Sequence, residues 1–512
     1  MSRTSLVGFV GLFLLAGCGA GYGGKFSAES YAPRAPMAQA SAASPAPMQA
    51  PQENSPKTEE YKDYGVNPFV DTKQDKLSTF SIDVDTASYA ITRRYLGKDR
   101  QLPPKQSVRA EEFLNSFDYG YETPKQGGPF AVHFAAAPSP LTAGHHLVRV
   151  GIQARQITPQ ERLPVHLVYL VDVSGSMGGP DRIELAKKSL EILTDTLKPG
   201  DTVAICTYAG SERIVLEPTG DKQKIVSAIR SLSTGGGTSM GSGIQLAYDL
   251  ASKTLQKGHV NRVVVLSDGD ANIGKTSHEE ILKSIEQYKS RGITLSTVGF
   301  GSGNYKDTMM EQLADKGDGN YVYIDGEPEA RKVFGRETDS LLQVIARDVK
   351  IQVELDPNVI RRYRLIGYEN RDIADKDFRN DKVDAGEVGA GHSVTALYDV
   401  ELVNPKALVS GPSAAAAMTV RLRWKPALGS ETATESETKM PGSAFATSFE
   451  DAPENFRFAA AVASFAEILR QSPHAKDWKL ADVERIANAS SGQRPERAEL
   501  VSLVKSAQQL SR

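Results

Sequence analysis

Long apolar runs alternate with helical periodicity in the middle of the chain. The runs fall at residues 165–171, 203–205, 262–266 and 293–298. Between the first two, apolar residues recur at three- and four-residue steps, as in an amphipathic helix: Ile183, Ala186, Leu190, Leu193 and Leu197. Strands that are buried on both faces are predominantly apolar along their length, as these runs are. The pattern therefore predicts an α/β unit over residues 162–346 with a doubly wound parallel sheet.

On both sides of this unit the apolar period changes to two, which is typical of half-buried strands. The alternating apolar sets are Phe130, Val132, Phe134; Val148, Val150, Ile152; Val349, Ile351, Val353, Leu355; and Met418, Val420, Leu422, Trp424. We therefore expect a β-rich segment over 61–161 and further strands in 347–512. The α/β unit is either inserted into one discontinuous β domain or preceded by an independent N-terminal domain.

Shorter signals refine the two flanks. Residues 79–84 are expected to form a strand, and Asp85 or Thr86 to cap the helix that follows. The Ser-, Thr- and Glu-rich stretch 429–439 is expected to be a loop. Two or three helices close the chain, with apolar faces that include Phe458, Val462, Phe465, Leu469 and Leu500, Leu503, Ala507.

The N-terminus carries a processing signal. One basic residue, Arg3, precedes an apolar stretch at 6–16 that is too short to span a bilayer. It ends in Leu-Ala-Gly-Cys18, which resembles a bacterial lipobox. The resemblance implies a signal peptide over 1–17, a lipidated Cys18 and a membrane anchor. Gly19 follows the cysteine, at the position where an aspartate would be a signal for retention in the inner membrane. We therefore expect the protein to reach the outer membrane in a Gram-negative host.

Residues 18–60 are rich in Ala, Pro, Ser, Gln and Gly and are expected to form a disordered tether. Apolar residues make up 40% of the chain and charged residues 24%, as in soluble globular proteins. The formal net charge of -3 gives no reason to expect a nucleic-acid partner. Cys206 is the only other cysteine and lies in an apolar run, so we expect a buried thiol without a disulfide.

Three segments of the α/β unit present oxygen-bearing side chains. Asp172, Ser174 and Ser176 follow the first strand, Thr238 follows three glycines before a helix, and Asp268 follows a later strand. Ligands of open parallel sheets bind beyond the carboxyl ends of strands, at the point where strand order reverses. Carboxylate and hydroxyl oxygens suit Mg²⁺, Mn²⁺ or Ca²⁺, and zinc less well.

These five residues resemble the metal-ion-dependent adhesion site of von Willebrand factor A domains. The resemblance implies that Ser174, Ser176 and Thr238 bind one divalent cation directly, with Mg²⁺ as the first candidate. It implies that Asp172 and Asp268 bind directly or through water. In that family one coordination position stays open for an acidic residue of a protein partner, so the partner is expected to expose an Asp or Glu.

Two further segments, 81–89 and 381–398, resemble a subfamily of bacterial lipoproteins. That subfamily has a characteristic segment before the A domain and a domain of unknown function after it. Together the resemblances predict an envelope-anchored binding protein, without a small-molecule substrate. The alternative is an assembly factor of an envelope complex in which the cation is purely structural.

Enzymatic motifs are incomplete, so no catalytic activity is expected. Asp83 and Asp85 are spaced like a phosphatase nucleophile motif, but Ala87 stands where Thr or Val is needed. The acidic stretch from Asp268 mimics a calcium loop, yet Ile273 replaces its obligatory glycine. A cation-dependent hydrolase is therefore the least supported alternative. The His145–His146 pair lacks further zinc ligands at suitable spacing and is expected in a surface turn.

Overall fold

The computed structural model describes residues 59–125, 128–269, 278–303, 305–404, 416–427 and 431–511. The predicted signal peptide, Cys18 and the tether before residue 59 lie outside these residues. No helix within the described ranges is long and apolar enough to cross a membrane.

The described residues contain the following strands and helices. The strands are β1 (Val70–Asp71), β2 (Leu77–Ser81), β3 (Phe130–Pro138), β4 (His145–Ala154), β5 (Val165–Asp172), β6 (Thr202–Tyr208), β7 (Arg213–Thr219), β8 (Val260–Ser267), β9 (Ile293–Phe300), β10 (Tyr321–Ile324), β11 (Val344–Leu355), β12 (Ile360–Ile366), β13 (Val388–Gly389), β14 (Ser393–Leu402), β15 (Met418–Pro426) and β16 (Thr434–Lys439). The helices are α1 (Ala87–Arg94), α2 (Ala110–Asn115), α3 (Ile183–Thr196), α4 (Lys222–Ser231), α5 (Met240–Lys253), α6 (His278–Lys289), α7 (Asp307–Lys316), α8 (Glu327–Arg331), α9 (Thr338–Leu342), α10 (Glu454–Leu469), α11 (Leu480–Ser490) and α12 (Pro495–Leu510).

The central sheet has the strand order β10-β9-β8-β5-β6-β7. Its first five strands are parallel, which confirms the predicted α/β unit. The sixth, β7, pairs antiparallel with β6 at the edge. The apolar pattern did not indicate β7, because most of its side chains are at least partly exposed. Strand order reverses between β5 and β8. In open parallel sheets, ligands bind beyond the carboxyl ends of the strands at such a point.

Helices cover both faces of the central sheet. On one face α5, α6 and α7 contribute to the core, and on the other α3, α8 and α9. Helix α1 comes from the N-terminal segment and also packs on the first face, with Ala87, Ala90 and Ile91 fully buried or nearly so. The N-terminal segment is therefore part of the core around the central sheet, which the sequence pattern did not predict.

Two further sheets form a sandwich. One has the order β1-β12-β14-β4-β3, and the other β13-β11-β15-β16 with β2 also paired to β11. Their facing apolar residues make one core, to which β4, β11, β14 and β15 contribute through the alternating positions. Strands from before and after the central unit pair directly, β4 with β14 and β2 with β11. The two flanks therefore share both sheets.

A helical layer covers the outer face of the sheet that contains β4. Helices α2, α10, α11 and α12 pack there, with Phe113, Phe458 and Phe465 fully buried. The closing helices agree with the predicted apolar faces. The sheet contributes to the same core through Ala135 and Ala137 of β3, Leu147 of β4 and Leu397 of β14.

Three local predictions were wrong. The expected loop at 429–439 contains β16, an edge strand that is mostly exposed and therefore polar on both faces. His145 and His146 lie at the start of β4 and not in a surface turn. The His145 ring stands 2.7 Å from Asp399 and 3.2 Å from Glu401, and the hydrogen bond with Asp399 raises its pKa.

The cap predicted for the first helix is also different. Thr86 occupies the position before α1 but makes no side-chain capping bond. The carboxylate of Asp85 instead accepts a hydrogen bond from the Tyr321 amide of β10, at 3.0 Å. The carboxylate of Asp83 accepts a hydrogen bond from the Asp85 amide at 3.0 Å. This acidic segment therefore holds the N-terminal segment against the edge of the central sheet.

Candidate metal centre

The candidate site begins where β5 ends. Asp172 is the last residue of β5, and the Ser174 amide donates to its Oδ1 at 2.9 Å. A short 3₁₀ turn, Gly175–Met177, then brings the hydroxyls of Ser174 and Ser176 to 2.9 Å from each other. This first loop places one carboxylate and two hydroxyls at the carboxyl end of the strand.

The end of β8 supplies the second loop. The Ser267 hydroxyl donates to Asp172 Oδ2 at 3.0 Å, across the two adjacent parallel strands. Asp268 follows directly, and its Oδ1 lies 3.4 Å from the Ser176 hydroxyl. Residues 270–277, which include Asp270 and most of the calcium-loop mimic, lie outside the described residues. Ser174 thus connects the two aspartates: its amide donates to Asp172, and its hydroxyl contacts Ser176, whose hydroxyl lies beside Asp268.

The third loop is the glycine-rich one before α5. The Gly235 amide donates to the Val173 carbonyl at 2.8 Å, and the Gly175 amide donates to the Gly236 carbonyl at 3.1 Å. Gly236 has a φ of +87°, a left-handed conformation that favours glycine. Thr238 follows this loop and is half-buried. Among the described residues, its hydroxyl makes no hydrogen bond to the other four predicted ligands.

The five predicted ligands differ in how deeply they are buried. Asp172, Ser174 and Asp268 are buried, with 0%, 1% and 5% of their surface exposed. Ser176 and Thr238 are half-buried. Burial raises the pKa of Asp172, although hydrogen bonds from Ser174 and Ser267 oppose the shift. A carboxylate that is removed from water in this way is stabilised by a nearby positive charge.

The donor set fits a hard divalent cation. Asp172 Oδ1 accepts the Ser174 amide and Oδ2 accepts the Ser267 hydroxyl, and a carboxylate oxygen offers two lone pairs. Throughout the ranges that the structure describes, no group of three or more His, Cys, Asp or Glu side chains is arranged to hold a metal ion. An ion at this site would therefore depend on hydroxyl oxygens, which suit Mg²⁺ or Mn²⁺ better than zinc.

Two residues at the site were not singled out from the sequence. Ser267 was visible only as the neighbour of Asp268, and its hydrogen bond to Asp172 depends on strand pairing. Arg182, which directly precedes α3, donates to the Ser176 carbonyl at 2.8 Å and stands 3.9 Å from Asp268 Oδ2. No local motif marks an arginine that contacts backbone carbonyls.

Cys206 lies in β6, within the core of the central sheet. Its thiol is fully buried and contacts the Tyr169 carbonyl at 3.6 Å. Burial raises its pKa to about 12. Such a thiol is unreactive, because it stays protonated and is buried among apolar residues.

Family models match three parts of the chain. The von Willebrand factor type A domain matches residues 166–336, a further von Willebrand factor family matches 55–149, and the C-terminal family of the uncharacterized protein YfbK matches 340–510. The uncharacterized protein YfbK of Escherichia coli K12 is 36% identical over 473 residues. That match covers 88% of this chain and 81% of that protein.

Solved structures that match part of this chain include a von Willebrand factor type A protein from Catenulispora acidiphila. It is 18% identical with a TM-score of 0.41, covering 72% of this chain and 89% of that chain. Another is proximal thread matrix protein 1 from the mussel byssus, with a zinc-occupied MIDAS motif. It is 20% identical with a TM-score of 0.29, covering 34% of this chain and 45% of that chain.

Proposed function

This chain belongs to the family of the Escherichia coli protein YfbK, and we propose that it is an envelope-anchored binding protein that recognises an acidic group of a protein partner through one divalent cation. A von Willebrand factor type A domain indicates a role in protein–protein interaction. The finer assignment, a cation-bridged contact, rests on the side chains at the carboxyl ends of β5 and β8.

The supporting observation is the continuity of the proposed ligand set. Hydrogen bonds or close contacts connect Asp172 to Ser174, Ser174 to Ser176, and Ser176 to Asp268. Thr238 follows a loop that is bonded to the same turn. The three proposed ligands other than the two aspartates are neutral hydroxyls, and a hard divalent cation takes six or more oxygen ligands, so a carboxylate oxygen from outside the chain suits the same ion. A partner's Asp or Glu would supply that ligand.

We propose Mg²⁺ as the physiological ion and a binding role without catalysis. The serine hydroxyls that contact the two aspartates are fully buried, as in Ser267, or are themselves proposed metal ligands, as in Ser176, so the proposal assigns neither of them as a nucleophile. The buried Asp172 would hold the ion, while the half-buried Ser176 and Thr238 would lie on the side that a partner approaches.

A calorimetric titration tests the metal site. Mg²⁺ and Mn²⁺ are titrated into the full-length protein, into Asp172→Ala, and into Asp477→Ala, an exposed carboxylate before α11, as the matched control. One ion should bind to the wild type and to Asp477→Ala and not to Asp172→Ala. Circular dichroism should show that all three are folded, because Asp172 lies at a strand end. Equal binding to all three proteins would refute the site.

Partner capture separates the two functional models. Envelope extracts are passed over the immobilised protein with Mg²⁺ or with EDTA, and Asp172→Ala is run beside the wild type. A partner that is retained only with Mg²⁺ and only by the wild type supports cation-bridged recognition. Retention that is the same under all conditions would favour an assembly factor in which any cation is structural.

The membrane anchor is a separate proposal that rests on Cys18. Cys18→Ser should abolish incorporation of labelled palmitate and release the protein from the membrane fraction, because acyl chains are the expected anchor. Cys206→Ser is the matched control, since Cys206 is buried in the core. Membrane association that survives Cys18→Ser would contradict a lipid anchor.

A further inference from the structure

Arg182 brings a fixed positive charge to the edge of the proposed metal site. Its Nη1 donates to the Ser176 carbonyl at 2.8 Å, and its Nη2 donates to the Ser302 carbonyl at 2.5 Å. Its Nε lies 3.9 Å from Asp268 Oδ2, and the side chain is 15% exposed. The guanidinium therefore connects the first metal-site loop with the loop at 301–303 and faces a proposed ligand carboxylate.

The loop at 301–303 is shaped around this side chain. Gly301 has a φ of +75°, and a Cβ there would lie 2.5 Å from the Nε of Arg182 and 2.6 Å from its Cγ. Gly303 has a φ of +104°, yet a Cβ there would meet nothing within 4 Å. Both glycines adopt left-handed backbone, but only Gly301 makes room for Arg182.

The N-terminal segment fixes the same loop from the other side. The Gly303 amide donates to Glu59 Oε1 at 2.6 Å, and Arg94 pairs with Glu59 at 2.8 Å. Burial opposes ionisation of Glu59, but the hydrogen bonds and charge of Arg94 lower its pKa to about 2. The Tyr323 hydroxyl donates to the Gly301 carbonyl. The loop that carries the Arg182 contact is thus anchored at both ends.

A divalent ion that uses Asp268 must share this carboxylate with the guanidinium. At separations of about 4–6 Å, like charges near a protein surface repel appreciably, because the effective dielectric constant is well below that of water. We propose that Arg182 sets the cation affinity of the site by competing with the ion for Asp268. The proposal rests on the metal-binding function above, in which a partner's carboxylate completes a loosely held ion.

The charge test compares Arg182→Gln with Arg182→Lys by Mn²⁺ titration of the full-length protein. Arg182→Gln should bind Mn²⁺ about tenfold more tightly than the wild type, because the competing charge is gone. Arg182→Lys retains the charge and should stay within about threefold of the wild type. If Arg182 only braced the loops, Arg182→Gln would bind Mn²⁺ more weakly than the wild type, because its removal would loosen the ligand set.

The geometric test keeps arginine at position 182 but displaces its side chain. Gly301→Ala pushes the Arg182 side chain from its groove, whereas Gly303→Ala introduces similar backbone strain without touching it. Gly301→Ala should bind Mn²⁺ more tightly than Gly303→Ala by about threefold. Thermal unfolding in EDTA measures the fold of each variant independently of the metal, and Gly301→Ala should unfold at a lower temperature than Gly303→Ala, because it also displaces Arg182.

The outcomes distinguish the two proposals. If the wild type binds no Mn²⁺, or Asp172→Ala binds it equally well, the metal site itself fails. If the wild type binds and Asp172→Ala does not, but Arg182→Gln binds no more tightly than the wild type, the metal site stands and the role of Arg182 is overturned. Should Arg182→Gln fail to fold, the comparison of Gly301→Ala with Gly303→Ala decides alone.

Discussion

At the residue scale, Ser267 links the two strands that carry the site. Its hydroxyl donates to Asp172 and accepts the Gly269 amide, at 3.0 Å in both cases. It is fully buried, so no water replaces these bonds when the hydroxyl is removed. Ser267 therefore orients one proposed ligand and the turn that carries the other, as supporting residues of metal sites commonly do.

Ser267→Ala should weaken Mn²⁺ binding about tenfold while the secondary structure is retained. The expected cause is a less well oriented Asp172 carboxylate. The measurement is a Mn²⁺ titration, with circular dichroism as the check on folding. Ser502→Ala, on the exposed face of α12, is the control and should bind like the wild type. Unchanged affinity in Ser267→Ala would show that Asp172 needs no such support.

At the element scale, α2 carries acidic residues into the protein interior. Glu111 is 1% exposed, and its Oε2 has no hydrogen-bond partner among the described residues. Burial, followed by the charges of Glu369 and Asp83, raises its pKa from 4.5 to about 7. A six-residue helix thus places a group that titrates near neutrality between the helical layer and the sandwich.

The stability of the protein should fall as the pH rises toward 8, partly because of Glu111. Its carboxyl holds a proton more tightly in the folded protein than in the unfolded chain. This contribution is therefore complete below about pH 4.5 and is lost as the pH rises through about 7. Glu111→Gln should lessen the decrease in unfolding free energy between pH 5 and pH 8 by about 2–3 kcal/mol.

Urea denaturation at pH 5, 6.5 and 8 measures this effect. Glu450→Gln removes an exposed carboxylate and serves as the control, whose pH profile should match the wild type. Parallel profiles for Glu111→Gln and the wild type would mean that Glu111 is ionised throughout this range in the folded protein.

At the scale of the whole molecule, buried ion pairs join the central sheet unit to its flanks. Arg109, just before α2, pairs with Asp307 of α7 at 2.6 Å and also contacts Glu112. Arg371 lies among Asp83, Asp85 and Asp315, the last of which belongs to α7. Because such charges are removed from water, loss of one partner leaves the other uncompensated.

Arg109→Met should lower the unfolding free energy by about 3–5 kcal/mol, because it leaves Asp307 and Glu112 buried without their cation. Arg331→Met is the matched control. It removes an exposed pair with Glu327, four residues away on α8, and should cost less than about 1 kcal/mol. Equilibrium denaturation measures both. Similar losses for the two variants would show that the flanks do not depend on this buried pair.

The sequence determined the central fold and the nature of the candidate ligands. Strands such as β5 and β8 are buried on both faces. Most of their residues are therefore apolar, whichever strands and helices they contact. The five proposed ligands follow strand ends or a glycine loop, and hydroxyl and carboxylate chemistry is visible in the residues themselves. These signals are local, so they can be recognised from a single sequence.

Only the tertiary structure decided which distant segments meet. The pairing of β4 with β14 joins residues more than 200 positions apart, and no local pattern specifies that partner. The packing of α1 on the central sheet, the bond from Ser267 to Asp172, and the approach of Arg182 to Asp268 arise in the same way. Each of these contacts forms only when folding brings distant segments together. The local sequence does not specify the partner, because many surfaces of the chain have similar local patterns.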